Sequence, residues 1–474
     1  ARVFPATGIK ISEPSPTTAT IWTRVTRDAT RAADDRPAPI VRVVHRETGQ
    51  ELPLRDNTAY PTGRPIVAFA PGSDLGSIRG AALGAAGQTR VRHRAAGTNA
   101  WTTSDWRDVD PRRDFTALFA LTGLKPGTRY DVEVAARPSA RAQPDAINTV
   151  AGGFVTAPAA NATADVTFCV MSCQKYERSD RPDGFALYPS MQALRPDFFV
   201  NTGDVVYYDH GPAIALNADL ARYHWARMFS YPTLREFHQR VGSYFMKDDH
   251  DVLANDCEPG LRSGDLTFEE GLRIFSEQTA LTDAPYRTVR WGRHLQLWMV
   301  EGRDFRTTRV KGDPTPPTIW GAPQIAWLEK SLAASDATFR LLITSTPIVG
   351  PDRTQKDDNY SNRGFVVEGD RIRAMLGRHP NLAVITGDRH WQYVSTDRAT
   401  GLEEWSVGAA SDAHAGGWNE DQPRLEHRFL RIKHGGFLSG TVTPATATAG
   451  ATLTLRLHDT RGIVLFESAK PAVK

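Results

Sequence analysis

Four short stretches of this 474-residue chain each end an apolar run in side chains that bind cations or move protons. Val166-Thr-Phe-Cys-Val-Met171 runs into Ser172-Cys173-Gln174. Phe198-Phe-Val200 runs into Asn201-Thr-Gly-Asp204, with Tyr207 three residues on. Tyr244-Phe-Met-Lys247 runs into Asp248-Asp-His-Asp251 and then Asn255-Asp256. Leu382-Ala-Val-Ile385 runs into Thr386-Gly-Asp-Arg-His390. Carboxylate and amide oxygens are hard metal ligands, imidazole borderline and thiolate soft, and a carboxylate can bridge two ions through its two oxygens. One Gly-Asp is ordinary turn chemistry, and Cys173 alone would be a small buried hydrophobe. Four such clusters at successive strand ends predict a metal site.

The elements that must position these residues alternate in kind. After Asp165 strand-like runs alternate with helical periodicity. Ala186–Leu194 is one helical stretch. Ile325, Leu328 and Leu332 share a helical face before the strand Phe339–Ile343, as do Ile372, Met375 and Leu376 before Leu382–Ile385. Strand, helix, strand in that order argues for α/β layers, whose ligand sites lie beyond the carboxyl ends of the strands. The β-alternation of Thr452–Leu457 and Ile463–Glu467 predicts closing strands on the same domain. Before Asp165 the pattern is all β, with Ala19–Val25 and Ile40–His45 as strands. A Pro126-Gly127 turn leads into Tyr130 and strict alternation, which predicts a tyrosine corner and resembles a fibronectin-III or immunoglobulin-like sandwich. Gly-rich Pro71–Gly97 reads as an irregular insertion, and Thr156–Asp165, without large apolar residues, as the linker. The division is 1–158 for the β-sandwich and 159–474 for the catalytic domain.

Composition narrows the classes. The chain is 40% hydrophobic with 57 basic and 54 acidic residues, a net charge of +3. That excludes disorder and calls for no nucleic-acid partner. No apolar run approaches the roughly 18 residues of a membrane span. Three cysteines are no disulfide framework. A start at Ala1 fits an exported protein, secreted or periplasmic, whose leader has been removed.

The series Ser172-Cys173-Gln174, Gly203-Asp-Val-Val-Tyr207, Asp248-Asp-His-Asp251 with Asn255-Asp256, and Gly387-Asp-Arg-His390 resembles the alkaline phosphatase D family. These are calcineurin-like, purple-acid-phosphatase-like metallophosphoesterases. Asp304-Phe-Arg306 and Gly321–Leu328, with Gln324 and Trp327, resemble it too, and the resemblance spans about Asp165 to His390. It implies a two-sheet sandwich flanked by helices behind the amino-terminal β domain. It implies that Asp204 bridges two metals. Cys173, Tyr207 and His390 would complete a ferric site, and Asp249, Asn255 and Asp388 would hold a divalent ion, calcium. His250, oriented by Asp251, would stabilise the transition state or protonate the leaving oxygen, and Arg306 would bind phosphate. The superfamily's usual first Asp-x-His is absent, Ser172-Cys173 standing there, and Thr344-Ser-Thr346 replaces a later histidine. Both changes remove nitrogen ligands and argue against a plain di-zinc or zinc-iron centre and towards an oxygen-rich second site.

The function so implied is phosphatase or phosphodiesterase activity on a small-molecule or lipid phosphoester, with a metal-activated hydroxide attacking phosphorus in line. A phospholipase D-like phosphodiesterase and a nuclease are rivals on the same site. A non-catalytic binding protein, using Trp101, Trp106 and Trp418, leaves the four clusters unexplained. Substrate choice is assigned to the loops Tyr60–Trp101 and Pro351–Gly369. Tyr208 is read as packing, and His210, His224 and His238 as structural or exposed.

Overall fold

The structure is a computed structural model describing residues 2–144, 146–281, 284–308, 314–353, 355–419, 424 and 426–473. The chain divides into two compact units. The first comprises Ala1–Thr156, Val206–Tyr244 and Asp249–Thr282; the second comprises Ala157–Val205, Phe245–Asp248 and Asp283–Lys474. The chain passes between units inside two of the polar clusters, at Val205/Val206 and at Asp248/Asp249.

In the first unit, alternation builds antiparallel sheets. Ile9–Ser12, Ala19–Arg24 and Thr116–Leu121 pair with Ile11 opposite Ile21 and Ile21 opposite Phe119. Arg129–Arg137 pairs with Gln88–Ala95 on one side and Thr149–Val155 on the other. Tyr130, Val132 and Val134 point inward with Val91 and Phe154, and meet Ile9, Ile21 and Phe119 in one core. The predicted corner is present, the Lys125 N–H donating to Tyr130 Oη at 2.9 Å. The expectation for Pro71–Gly97 needs correcting, because Gln88–Ala95 is an eight-residue strand. Only Thr89 and Val91 of it are buried, too short an apolar face to stand out in the sequence. The later segments add the helices Ala218–Phe229, Pro232–His238 and Phe268–Thr279. Asn217 and Thr267 cap the first and third by accepting from Leu220 N–H and Glu270 N–H.

The second unit carries the parallel strands. Val166–Met171 pairs in parallel with Phe198–Asn201 and antiparallel with Gly436–Thr443, which leads on to Thr452–Asp459 and Val464–Pro471. A second, seven-stranded sheet runs in the order Arg287–Trp291, Leu295–Met299, Phe339–Thr344, Leu382–Thr386, Glu403–Val407, Gln392–Thr396, His427–Arg431. Parallel neighbours need crossovers, and Gly321–Ala333 and Val366–Leu376 supply them. Their Ile325, Leu328, Leu332, Ile372 and Leu376 cover Trp298, Leu342 and Val384 of the sheet. Every residue of Leu382–Thr386 is buried, as expected of a parallel strand covered on both faces. Polar residues are therefore expelled to its end, where the chain turns.

Candidate metal centre

Three strands of the second unit deliver side chains to one place. Beyond Val166–Met171 lies Cys173, beyond Phe198–Asn201 lies Asp204, and beyond Leu382–Thr386 lie Asp388 and His390. Cys173, Asp204 and Asp388 all adopt left-handed backbone, with φ of 54°, 55° and 61°. Non-glycine residues rarely do so, and three together mark stored strain at a functional turn. Gly203 precedes Asp204 at φ 112°, where a Cβ would lie 2.7 Å from Asp248 Cβ and 2.9 Å from its backbone nitrogen. The close approach of the two loops thus requires glycine.

The side chains converge. One donor atom each from Cys173, Asp204 and His390 lies within 4.8 Å of the others, and the same holds for Asp204, Asp248 and Asp388. Asp204 belongs to both sets. Cys173 Sγ is 3.3 Å from Asp204 Oδ2 and 3.1 Å from Ser172 Oγ. Burial, and then the Asp204 charge, push the Cys173 thiol well above its ordinary value. A thiolate here needs a compensating cation, and one sulfur, one imidazole and three carboxylates, with Asp388 and His390 part-buried and the rest buried, are a donor set that fits one. The His390 ring lies against His414, centroids 4.0 Å apart, and His414 Nδ1 is 3.0 Å from the Cys173 carbonyl oxygen. Asp248 is held by Arg303, whose Nε donates at 2.5 Å, and neighbouring Lys247 pairs with Glu301 at 2.5 Å.

The first unit gathers the remaining candidates. The Tyr207 ring stacks on His250 with centroids 4.3 Å apart, and His210 meets Tyr207 edge-on at 5.1 Å. Asp249 accepts from the backbone N–H of His250 at 3.0 Å and of Asp256 at 2.6 Å. The Asn255 amide donates to Asp256 at 2.7 Å, and Asn255 is exposed. The partner expected of Asp251 requires correction. His250 Nδ1 lies 2.7 Å from Asp209 Oδ1, while Asp251 Oδ1 accepts from the Val206 N–H at 2.9 Å. Asp249–Asp251 is a 3-10 turn, in which successive side chains diverge by about 120°, and Asp251 serves the Val206 N–H.

Asp209 and His210 were missed by motif reasoning. Asp209 Oδ1 also lies 3.0 Å from His210 Nδ1, and its Oδ2 accepts from Asn255 N–H at 2.8 Å. Burial opposes the Asp209 charge, but His250 and His210 together hold the carboxyl well below the usual range. The signal was adjacency: Tyr207-Tyr-Asp-His210 simply continues the Gly-Asp motif. Tyr208 is packing as expected, its Oη accepting from Trp225 Nε1 at 2.6 Å. His224 and His238 are buried on Ala213 O and Ser243 Oγ. In the second unit Arg306 is buried rather than solvated, donating to the Asp358 carbonyl at 3.0 Å. Motif reasoning gives Arg303 and Arg389 no role, flanked as they are by stronger motif residues.

Solved structures share the fold. The "Structure of PhoD" matches 98% of this chain and 89% of its own, with a TM-score of 0.69 and 16% identity. Purple acid phosphatase PPD1 from yellow lupin (Lupinus luteus) seeds matches 97% of this chain and 73% of its own, with a TM-score of 0.57 and 13% identity. No curated protein matches the chain by sequence. A family described as PhoD-like phosphatase matches residues 168–415, and that match defines the class: a metal-dependent phosphoester hydrolase. The match spans just over half of the chain, which belongs to the PhoD-like phosphatase family.

Proposed function

We propose that this enzyme cleaves a small-molecule or lipid phosphoester at a two-metal centre bridged by Asp204. The observation that carries the reading is the membership of Asp204 in two donor sets of the second unit, one with Cys173 and His390 and one with Asp248 and Asp388. The family pattern adds Tyr207 to the first set, as a ferric site, and Asp249 and Asn255 to Asp388, as a calcium site. When bound, the two cations would neutralise phosphate oxygens and acidify the attacking water. The protein's own groups do the rest. His250, held through Nδ1 by Asp209, presents its other ring nitrogen to the leaving oxygen, and Asp251 keeps the turn in place. Arg306 serves the phosphate through a guanidinium edge.

The amino-terminal residues 1–158 are proposed to be a fibronectin-III-like domain, supported by the tyrosine corner, and 159–474 a two-sheet catalytic domain. Secretion or a periplasmic location suits a centre built on ferric iron and calcium.

Asp204→Asn tests the reading. It removes a charge from both sets, so hydrolysis of monoester and diester substrates should fall by orders of magnitude and elemental analysis should show metal lost from a folded protein. Unchanged turnover with full metal content would reject the bridging role.

A further inference from the structure

Arg389 stands between two proposed ligands, Asp388 and His390, and is 3% exposed. Its Nη1 lies 2.9 Å from Asp388 Oδ2. Its Nη2 lies 2.7 Å from Asp352 Oδ2 and 2.8 Å from Asp358 Oδ1. One guanidinium therefore ties a ligand carboxylate to two carboxylates of the stretches 350–353 and 355–364, which follow the strand Phe339–Thr344. Those carboxylates are built into that segment. Asn359 Nδ2 donates to Asp352 at 2.8 Å and to Asp358 at 2.9 Å, Lys356 Nζ lies 2.8 Å from Asp358, and Asp358 lends its carbonyl to Arg306. Arg353 lies 5.2 Å over the ring of Trp391, the residue after His390.

A fork shared among three carboxylates, two buried and one part-buried, cannot satisfy one of them independently of the others. With a cation on Asp388, that carboxylate's negative charge is drawn away from Arg389, and the guanidinium settles more fully on Asp352 and Asp358. With the cation removed, Asp388 competes for it. We infer that Arg389 is a positioning residue that couples cation occupancy at Asp388 to the placement of the 350–364 segment, residue 354 lying outside the described residues. The inference rests on Asp388 being a cation ligand. The segment belongs to the loop assigned to substrate choice, so the coupling would let the metal centre set the wall against which substrate is placed.

Trypsin time courses on the protein as purified and after chelator treatment test this, read at Lys356 and Arg363. Cleavage follows the population of the locally opened segment, so the metal-loaded wild type should be cut roughly fivefold more slowly than the stripped protein. Arg389→Lys keeps the charge and loses the fork; Asp352→Asn leaves the Arg389–Asp388 contact intact. Arg389→Lys should be cut at a rate independent of metal, and Asp352→Asn, in which Asp358 still holds Arg389, should show a ratio clearly below fivefold at wild-type metal content. A purely structural Arg389 would loosen the segment equally with and without metal, preserving the fivefold ratio, and that outcome overturns the coupling. So does a wild type with established metal content and no metal-dependent protection. A purified protein without metal would instead strike the two-metal reading, and the coupling with it.

Discussion

A buried thiol beside a carboxylate stays neutral unless a cation compensates the pair, and Cys173 beside Asp204 is in that position. The proposed ferric ligation of Cys173 and Tyr207 has a spectroscopic consequence. A phenolate on ferric iron absorbs visible light by charge transfer, so concentrated protein should be coloured and Tyr207→Phe should bleach or shift the band. Tyr208→Phe should not, because Tyr208 is engaged with Trp225. A second residue-scale prediction separates Asp209 from Asp251. Asp209→Asn leaves His250 without its charged partner and should lower turnover on alkyl esters by roughly 10²-fold, the low end of what a positioned acid contributes. The loss on nitrophenyl esters, whose leaving group needs little protonation, should be smaller. Equal losses on both ester types would remove His250 from the acid role. Metal content should be unchanged.

At the scale of elements, the site depends on turns that reverse direction within one or two residues of a buried strand. Left-handed backbone at Cys173, Asp204 and Asp388 is tolerated because each turn is pinned by neighbours. The Cys173 N–H donates to Gly203 O and the Gln174 N–H to Asp204 O at 3.3 and 3.0 Å. Gly203→Ala should therefore be costly, adding a Cβ at positive φ against Asp248 backbone and Cβ. A loss of about 3 kcal/mol is expected, at the upper end of single substitutions, measured as a shift in denaturant midpoint. A midpoint within experimental error of wild type would mean that the two loops relax apart freely. The crossover helices are ordinary by contrast: their apolar stripes cover the parallel sheet, and this is why their positions were legible from periodicity.

For the whole molecule, a site rich in carboxylates is assembled in the native chain and not in the unfolded one, so cations that bind it raise stability by mass action. Chelator treatment should lower the melting temperature by several degrees, and restoring metal should recover it. Asp204→Asn should be less sensitive to the chelator, having less bound metal to lose. A melting temperature indifferent to chelation in protein that demonstrably loses metal would show that the folded chain holds its carboxylates apart without help.

The sequence by itself determined the α/β alternation and the polar clusters at the strand ends, because burial forces parallel strands to be apolar and drives polar chemistry to their ends. Leu382–Ile385 before Gly387-Asp388 is the clearest case. It did not reveal the Gln88–Ala95 strand, whose inward face buries only Thr89 and Val91. Nor did it identify the carboxylate on His250. Adjacency favoured Asp251, yet hydrogen bonding depends on where a side chain points, and residues 41 apart meet where neighbours diverge. The partners of Arg389, at Asp352 and Asp358, are likewise distant in sequence. Motifs encode which groups are present, while their pairing is settled only when packing fixes each direction in space.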